Sequence, residues 1–249
     1  MRVPDTRKIL NCSGVRHKKE EGKAIIEAVL FDLDGTLLDR EQSLIAFISQ
    51  QYERLAPKLS SIPKEVYISR FIELDTNGYV WKDEVYKQLI NEFNLTDGTV
   101  KELLDDYVFN FKHYCIPFQH LHHMLNELQQ QNIKLGMITN GYGQFQLDNI
   151  QALCIKQKFE VILISEWEGM KKPNPEIFER ALAKLQVSAA SSMFVGDHAL
   201  NDIEAAQNIG MIAVWKRNDA SPTVKADFII DELIEIPQLV YKLNEKNQQ

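Results

Sequence analysis

Two aspartates, Asp32 and Asp34, lie two residues apart in the stretch Phe31-Asp-Leu-Asp-Gly-Thr-Leu-Leu-Asp39. A β-prone run from Glu27 to Leu30 precedes them, and a polar, helix-like composition follows. Reading residues 25–34 as a strand puts the pair where that strand ends and its loop begins. Open α/β sheets keep their ligand sites at such ends. Strand side chains alternate faces, so the two carboxylates are expected to point the same way. Like charges that close are unfavourable unless a cation or a proton lies between them. Gly35 lets the backbone turn without a Cβ penalty. The plainer reading is an acidic turn that closes a strand.

Three more positions could join them. Thr139 ends the run Met-Ile-Thr-Asn-Gly, and its hydroxyl, with the amides of Asn140 and Gly141, could cradle a phosphate oxygen. A strand-ending Thr is otherwise ordinary β-branched filling. Lys172, in Lys-Lys-Pro173-Asn-Pro175, could aim an ammonium at a crowd of carboxylates and phosphate, while Lys171 reads as solvated. Asp197 again ends a strand, and Asp202 opens the next helix, where its charge also suits the helix dipole. His113, His120, His122 and His123 cluster near a helix start without partnering cysteines, so metal ligation there is not expected. His198 stands beside Asp197 and could touch a substrate.

The elements that must position these residues follow from periodicity. After the first strand, Arg40 to about Pro117 shows only helical spacing. Leu44, Phe47 and Ile48 recur at that spacing, as do Val85, Leu89 and Phe93, then Val100, Leu103, Leu104, Tyr107 and Phe111. Val66, Ser69-Arg70 and Phe71–Leu74 fit less cleanly. Asn77-Gly78 and Asp97-Gly98 read as turns. Beyond Pro117, strands at 134–139, 160–165, 192–196, 211–215 and 227–230 alternate with helices at 119–131, 144–153, from Asn174, 201–209 and 231–243. Asn174-Pro175 supplies a cap and a first-turn proline. This pattern predicts an α/β chain, a Rossmann-like doubly wound parallel sheet with an inserted all-helical cap. The expected division is an extension at 1–24, a core at 25–39 and 118–249, and a helical cap at 40–117.

Composition narrows the partners. The chain has 249 residues, 45% of them hydrophobic, and a formal net charge of −7. Acidic balance argues against nucleic acid as a partner, and no apolar run approaches the roughly 20 residues a membrane span needs. Cys12, Cys115 and Cys154 form no paired motif, which suggests a reducing, cytoplasmic setting. The first 24 residues carry seven Lys or Arg against three acids and no signal-peptide core. They read as a disordered extension.

The stretch Asp32-Leu-Asp34-Gly-Thr36-Leu-Leu-Asp39 resembles the first motif of the haloacid dehalogenase superfamily, most of whose members are phosphatases. Thr139, Lys172-Pro-x-Pro and Gly196-Asp197…Asp202 resemble its second, third and fourth motifs, in the same order. The resemblance implies a Mg²⁺-dependent hydrolysis of a small phosphate monoester. Asp32 would be the nucleophile that becomes an aspartyl-phosphate. Asp34 would be the general acid and base, and its backbone carbonyl a metal ligand. Thr139, Asn140 and Lys172 would bind the substrate, Asp32, Asp34 and Asp197 the metal, with Asp202 in support. Charge explains the ion: two unit charges about 4 Å apart repel by roughly 4 kcal/mol at an effective dielectric near 20. Dehalogenases of the superfamily lack the second aspartate and need no metal, so Asp34 favours phosphoryl transfer. A dehalogenase, and a phosphosugar mutase with the same core, remain the alternatives. A phosphonatase would want a Schiff-base lysine in the cap; Lys58, Lys64, Lys82 and Lys87 are available, but none has a distinguishing context. Arg54, Arg70, Tyr79 and Trp81 are candidate specificity contacts.

Overall fold

A computed structural model describes residues 25–95, 100–218 and 224–246. The basic extension and the Asp97-Gly98 turn lie outside the described residues. Six parallel strands form one sheet in the order β3-β2-β1-β4-β5-β6. They are β1 (Ala28–Phe31), β2 (Lys134–Thr139), β3 (Val161–Ile164), β4 (Ser192–Gly196), β5 (Ile212–Lys216) and β6 (Phe228–Ile230). The chain leaves β1 toward β3 on one side, then crosses back to β4 on the other. The reversal falls at β1, which opens a crevice above its carboxyl end.

The strands are apolar on both sides because both faces are covered. Val29 and Phe31 point into one apolar cluster, while Ala28 and Leu30 point into the other. The second cluster packs Ile177, Phe178, Ala181, Leu182 and Leu185 of α9 (Pro175–Leu185) against the sheet. Asn174 caps α9 by accepting from the Glu176 amide at 3.0 Å, with Pro175 at the first turn as expected. The opposite face carries α6 (Leu121–Gln130) and α11 (Glu235–Lys246).

Between β1 and α6, the described chain is helical: α1 (Arg40–Arg54), α2 (Ala56–Leu59), α3 (Lys64–Asp75), α4 (Lys82–Phe93) and α5 (Val100–Asn110). Only isolated bridges, Asp34 to Leu38 and Leu38 to Pro117, interrupt the pattern among the described residues. The two ends of the insertion are thus stitched together at the sheet. Buried Gln51 is a polar node inside the cap. It donates to Leu103 O at 3.0 Å and Asp106 Oδ2 at 2.9 Å, and accepts from the hydroxyls of Tyr86 and Tyr67 at 2.8 and 3.3 Å. The cap meets the core through aromatic contact, with Tyr107 stacked on Phe145 at 5.2 Å between centroids. Phe145 belongs to α7 (Gly143–Ala152), and the short α8 (Ser165–Glu168) follows β3.

Several sequence readings shift. In α3 the buried stripe is Tyr67, Phe71 and Leu74, while Val66 is exposed. The first strand stops at Phe31 rather than reaching residue 34. Beyond it, Leu37 and Leu38 both donate their amides to Leu33 O at 2.9 Å, closing a tight loop. The helix expected at 201–209 begins with a wide turn at Ala199–Glu204 and continues as α10 (Ala205–Asn208).

Candidate active site

At the carboxyl end of β1, the buried Lys172 ammonium lies between two carboxylates. It donates to Asp32 Oδ1 at 2.6 Å and to Asp202 Oδ1 at 2.7 Å. Burial alone would push the Lys172 ammonium toward neutrality, but Asp202 and Asp32 overcome it and hold its pKa above the usual lysine range. The loop carrying Lys172 is clasped from the end of β2. The Lys172 amide donates to Asn140 Oδ1 at 2.9 Å, and Asn140 Nδ2 donates to Lys172 O at 3.0 Å. The Asn140 side chain is therefore used to position Lys172. Gly141 N donates to Ser165 Oγ at 2.9 Å, which removes it from the expected pair of phosphate-facing amides.

Asp202 makes contacts that fit both of its sequence readings, holding Lys172 and accepting from the residue that caps the following helix. Its other oxygen accepts from the His198 amide at 3.0 Å, so it orients Lys172 and ties down the loop after β4. The helix cap is His198 itself, whose Nδ1 accepts from the Leu200 and Asn201 amides at 3.1 Å.

Asp32, Asp197 and Asp202 each offer a carboxylate oxygen, all within 4.8 Å of one another. Asn218 Nδ2 fixes Asp197, donating to its Oδ2 at 3.1 Å and its backbone carbonyl at 3.0 Å. Gly35, at φ +80°, presses its backbone against the same carboxylate, and a Cβ there would lie 2.2 Å from Asp197 Oδ2. Three carboxylates thus gather around one buried ammonium, Asp32 and Asp202 buried with it and Asp197 half-buried. Burial, Asp202 and Asp197 push Asp32 well above the usual carboxylate range against the pull of Lys172. Burial and then Asp202 raise Asp197 to about 7. The excess negative charge and the all-oxygen donor set suit a hard divalent cation such as Mg²⁺.

The carboxylate of Asp34 lies outside this set. The two aspartates have separate partners, with Asp32 on Lys172 and Asp34 Oδ2 accepting from Gln146 Nε2 at 2.6 Å. Fully buried Thr139 joins the same amide, its Oγ1 accepting from Gln146 Nε2 at 2.8 Å.

The cap reaches this site through the segment between α3 and α4. Thr76, Asn77 and Gly78 all have positive φ, at 49°, 54° and 87°. Buried Asp75 holds the turn: it accepts from Gly78 N at 2.8 Å and from Arg40 Nη2 at 2.9 and 3.0 Å, and it pairs with the Lys82 ammonium. Burial and then the Arg40 charge lower the Lys82 pKa. The turn presents Tyr79, whose hydroxyl lies 2.5 Å from His198 Nε2, and Trp81, whose ring stands 4.3 Å from that of Tyr142. Of the candidate cap contacts, Tyr79 and Trp81 meet the core. Arg54 pairs with Asp106, and Arg70 with Glu73 and Glu92, within the cap. His120 and His123 face Glu232 and Glu127 at 3.9 and 3.4 Å and join no three-ligand group among the described residues.

Sequence reasoning missed Gln146, Asn218 and the Arg40–Asp75–Lys82 cluster. Gln146 and Asn149 are buried amides three residues apart on α7, but their burial comes from packing and leaves no mark in the sequence. No local pattern marks Asn218 or Asp75.

A haloacid dehalogenase-like hydrolase family model matches residues 29–216. A glyceraldehyde 3-phosphate phosphatase of Pyrococcus furiosus is 27% identical over 241 residues, covering 89% of this chain and 95% of that one. The crystal structure of a HAD phosphatase from Thermococcus onnurineus superposes with a TM-score of 0.62 at 27% identity, covering 86% of this chain and 98% of that one. The magnesium-bound hydrolase YfnB from Bacillus subtilis shares the fold with a TM-score of 0.70 at 23% identity, covering 87% and 99%. With a matched stretch that spans the sheet from β1 to β5 and carries every charged group of the crevice, the chain belongs to the haloacid dehalogenase-like hydrolases.

Proposed function

We propose that this hydrolase is a Mg²⁺-dependent phosphatase that cleaves the phosphate monoester of a small metabolite through an aspartyl-phosphate on Asp32. The observation that carries the reading is the division of labour between the two aspartates. Asp32 lies against the Lys172 ammonium, and Asp34 stands apart from it on a neutral amide. The phosphatase names of the Pyrococcus and Thermococcus relatives agree with it.

Lys172 takes Asp32 Oδ1, which leaves Oδ2, 3.4 Å from Thr36 Oγ1, to face phosphorus. Mg²⁺, held by Asp32, Asp197 and the Asp34 carbonyl, would neutralise charge between the nucleophile and a dianionic ester. Asp32 attacks phosphorus, and the bond from phosphorus to the ester oxygen breaks. Asp34 gives its proton to the departing oxygen. It then takes a proton from the water that attacks the phosphorus of the intermediate, which restores Asp32. Lys172 and the Thr139 hydroxyl hold the equatorial oxygens as charge spreads over them. The cap excludes water and contacts the leaving group.

A panel of phosphate esters, p-nitrophenyl phosphate included, assayed with and without Mg²⁺ tests the reading. Hydrolysis should require Mg²⁺ and vanish in Asp32→Asn. Turnover that persists in that variant, or halide release from a haloacid without metal, would overturn it.

A further inference from the structure

Gln146 is a buried side chain with no role in the reaction as derived above. Yet its amide nitrogen touches two groups that act in it. Nε2 lies 2.6 Å from Asp34 Oδ2, 2.8 Å from Thr139 Oγ1 and 3.3 Å from Asn140 O. The assignment of nitrogen and oxygen follows from the partners. A backbone carbonyl only accepts, so nitrogen must face Asn140 O. On the other side, Gln146 Oε1 accepts from Asn149 Nδ2 at 3.3 Å, and Asn149 Oδ1 accepts from the Cys115 thiol at 3.5 Å. Helix α7 and the β2 end thus hold the amide in one orientation.

An amide nitrogen only donates. Two consequences follow for the protons around it. Asp34 Oδ2 accepts from this donor, and the carbonyl oxygen of a carboxylic acid is its stronger acceptor, so the contact favours a proton carried by Asp34 on Oδ1. Thr139 Oγ1 accepts from the amide, so its own hydrogen points elsewhere, and it has no acceptor among the described residues. We propose that Gln146 is a positioning residue that directs both protons of the phosphoryl transfer. It keeps the Asp34 proton on the oxygen that faces the leaving group. It also keeps the Thr139 hydroxyl as a donor toward a phosphoryl oxygen.

The inference rests on the phosphatase reading, and leaving-group chemistry separates the two. An alkyl phosphate departs as an alkoxide and needs the Asp34 proton; p-nitrophenyl phosphate departs as a stable phenolate and needs it little. Gln146→Met keeps the length and buried volume but has no N–H. Gln146→Glu keeps the oxygen that accepts from Asn149 and replaces the donor. In both variants kcat/KM for glycerol phosphate should fall on the order of a hundredfold, and for p-nitrophenyl phosphate less than about tenfold. Melting temperatures identify either variant that fails to fold, and the other then decides. In a folded variant of an active wild type, equal losses on the two esters would overturn the role at Asp34, an undiminished rate on p-nitrophenyl phosphate would overturn the role at Thr139, and either result leaves the phosphatase reading standing. A wild type silent on the whole panel of phosphate esters with Mg²⁺ would overturn the phosphatase reading, and the proposal with it.

Discussion

The Tyr79 hydroxyl of the cap and His198 Nε2 of the core stand 2.5 Å apart, and their rings meet near edge-on at 5.9 Å. His198 is also the residue between Asp197 and the helix that carries Asp202, and its amide holds the Asp202 carboxylate. The cap therefore docks on the loop that shapes the acidic site. A turn of three positive-φ residues, pinned by buried Asp75, makes this approach repeatable rather than a chance surface contact.

Removing the hydroxyl should weaken the docked state without touching the groups that react. A single hydrogen bond of this kind contributes about 0.5–1.5 kcal/mol net. Tyr79→Phe is expected to raise KM several-fold and change kcat by less than about twofold, as measured by steady-state kinetics on an active ester. An unchanged KM would show that the contact plays no part in holding the cap down.

Lys172 offers a second test because its charge is shared by two buried carboxylates. Lys172→Met strands Asp32 and Asp202 without a cation. Breaking a buried pair by removing one partner typically costs about 3–5 kcal/mol. Protonation of the carboxylates relieves part of that cost, so the loss should be larger near pH 8 than near pH 5. Hydrolysis should fall with it, since the variant also lacks the ammonium that holds a phosphoryl oxygen. Urea denaturation at the two pH values measures the difference. A variant as stable as the parent at both would mean that the ammonium is not what makes this acidic crevice tolerable.

The strand-end residues were legible because each closes a short, largely apolar run that reads as a strand. Asp32, Thr139 and Asp197 all stand in that context, and the parallel sheet brings them to one edge. The partner of Asp34 was not legible, because Gln146 lies 112 residues away and reaches it only through packing. Gln146 itself was hidden for a related reason. A polar residue on a helix reads as solvated until tertiary packing puts it inside, and here Tyr107 stacks over neighbouring Phe145. The same dependence on distant packing conceals the Tyr79–His198 contact, whose partners are 119 residues apart. Charge could be read from single residues, whereas its compensation in the Arg40–Asp75–Lys82 cluster required the fold.

The acidic crevice should also reveal its ion through the pH dependence of stability. Burial raises Asp197 from 3.8 to about 7, and Asp32 is raised as well. The folded protein then holds protons that the unfolded chain has released, across the window from about pH 4 to about pH 7. Fewer protons bound to the unfolded state mean that stability falls as pH rises through that window. The contribution is fully present below the unfolded pKa and is lost once pH passes the folded one. A divalent cation reverses the balance, because it binds the ionised carboxylates and displaces their protons. Millimolar Mg²⁺ should therefore raise the melting temperature more near pH 8 than near pH 5, and proton release should accompany binding in weakly buffered solution. Asp197→Asn should remove most of the Mg²⁺ effect and flatten the decline of metal-free stability with pH. If Mg²⁺ stabilised the parent equally at both pH values, or stabilised Asp197→Asn as much as the parent, the ion would have to sit somewhere other than between Asp32 and Asp197.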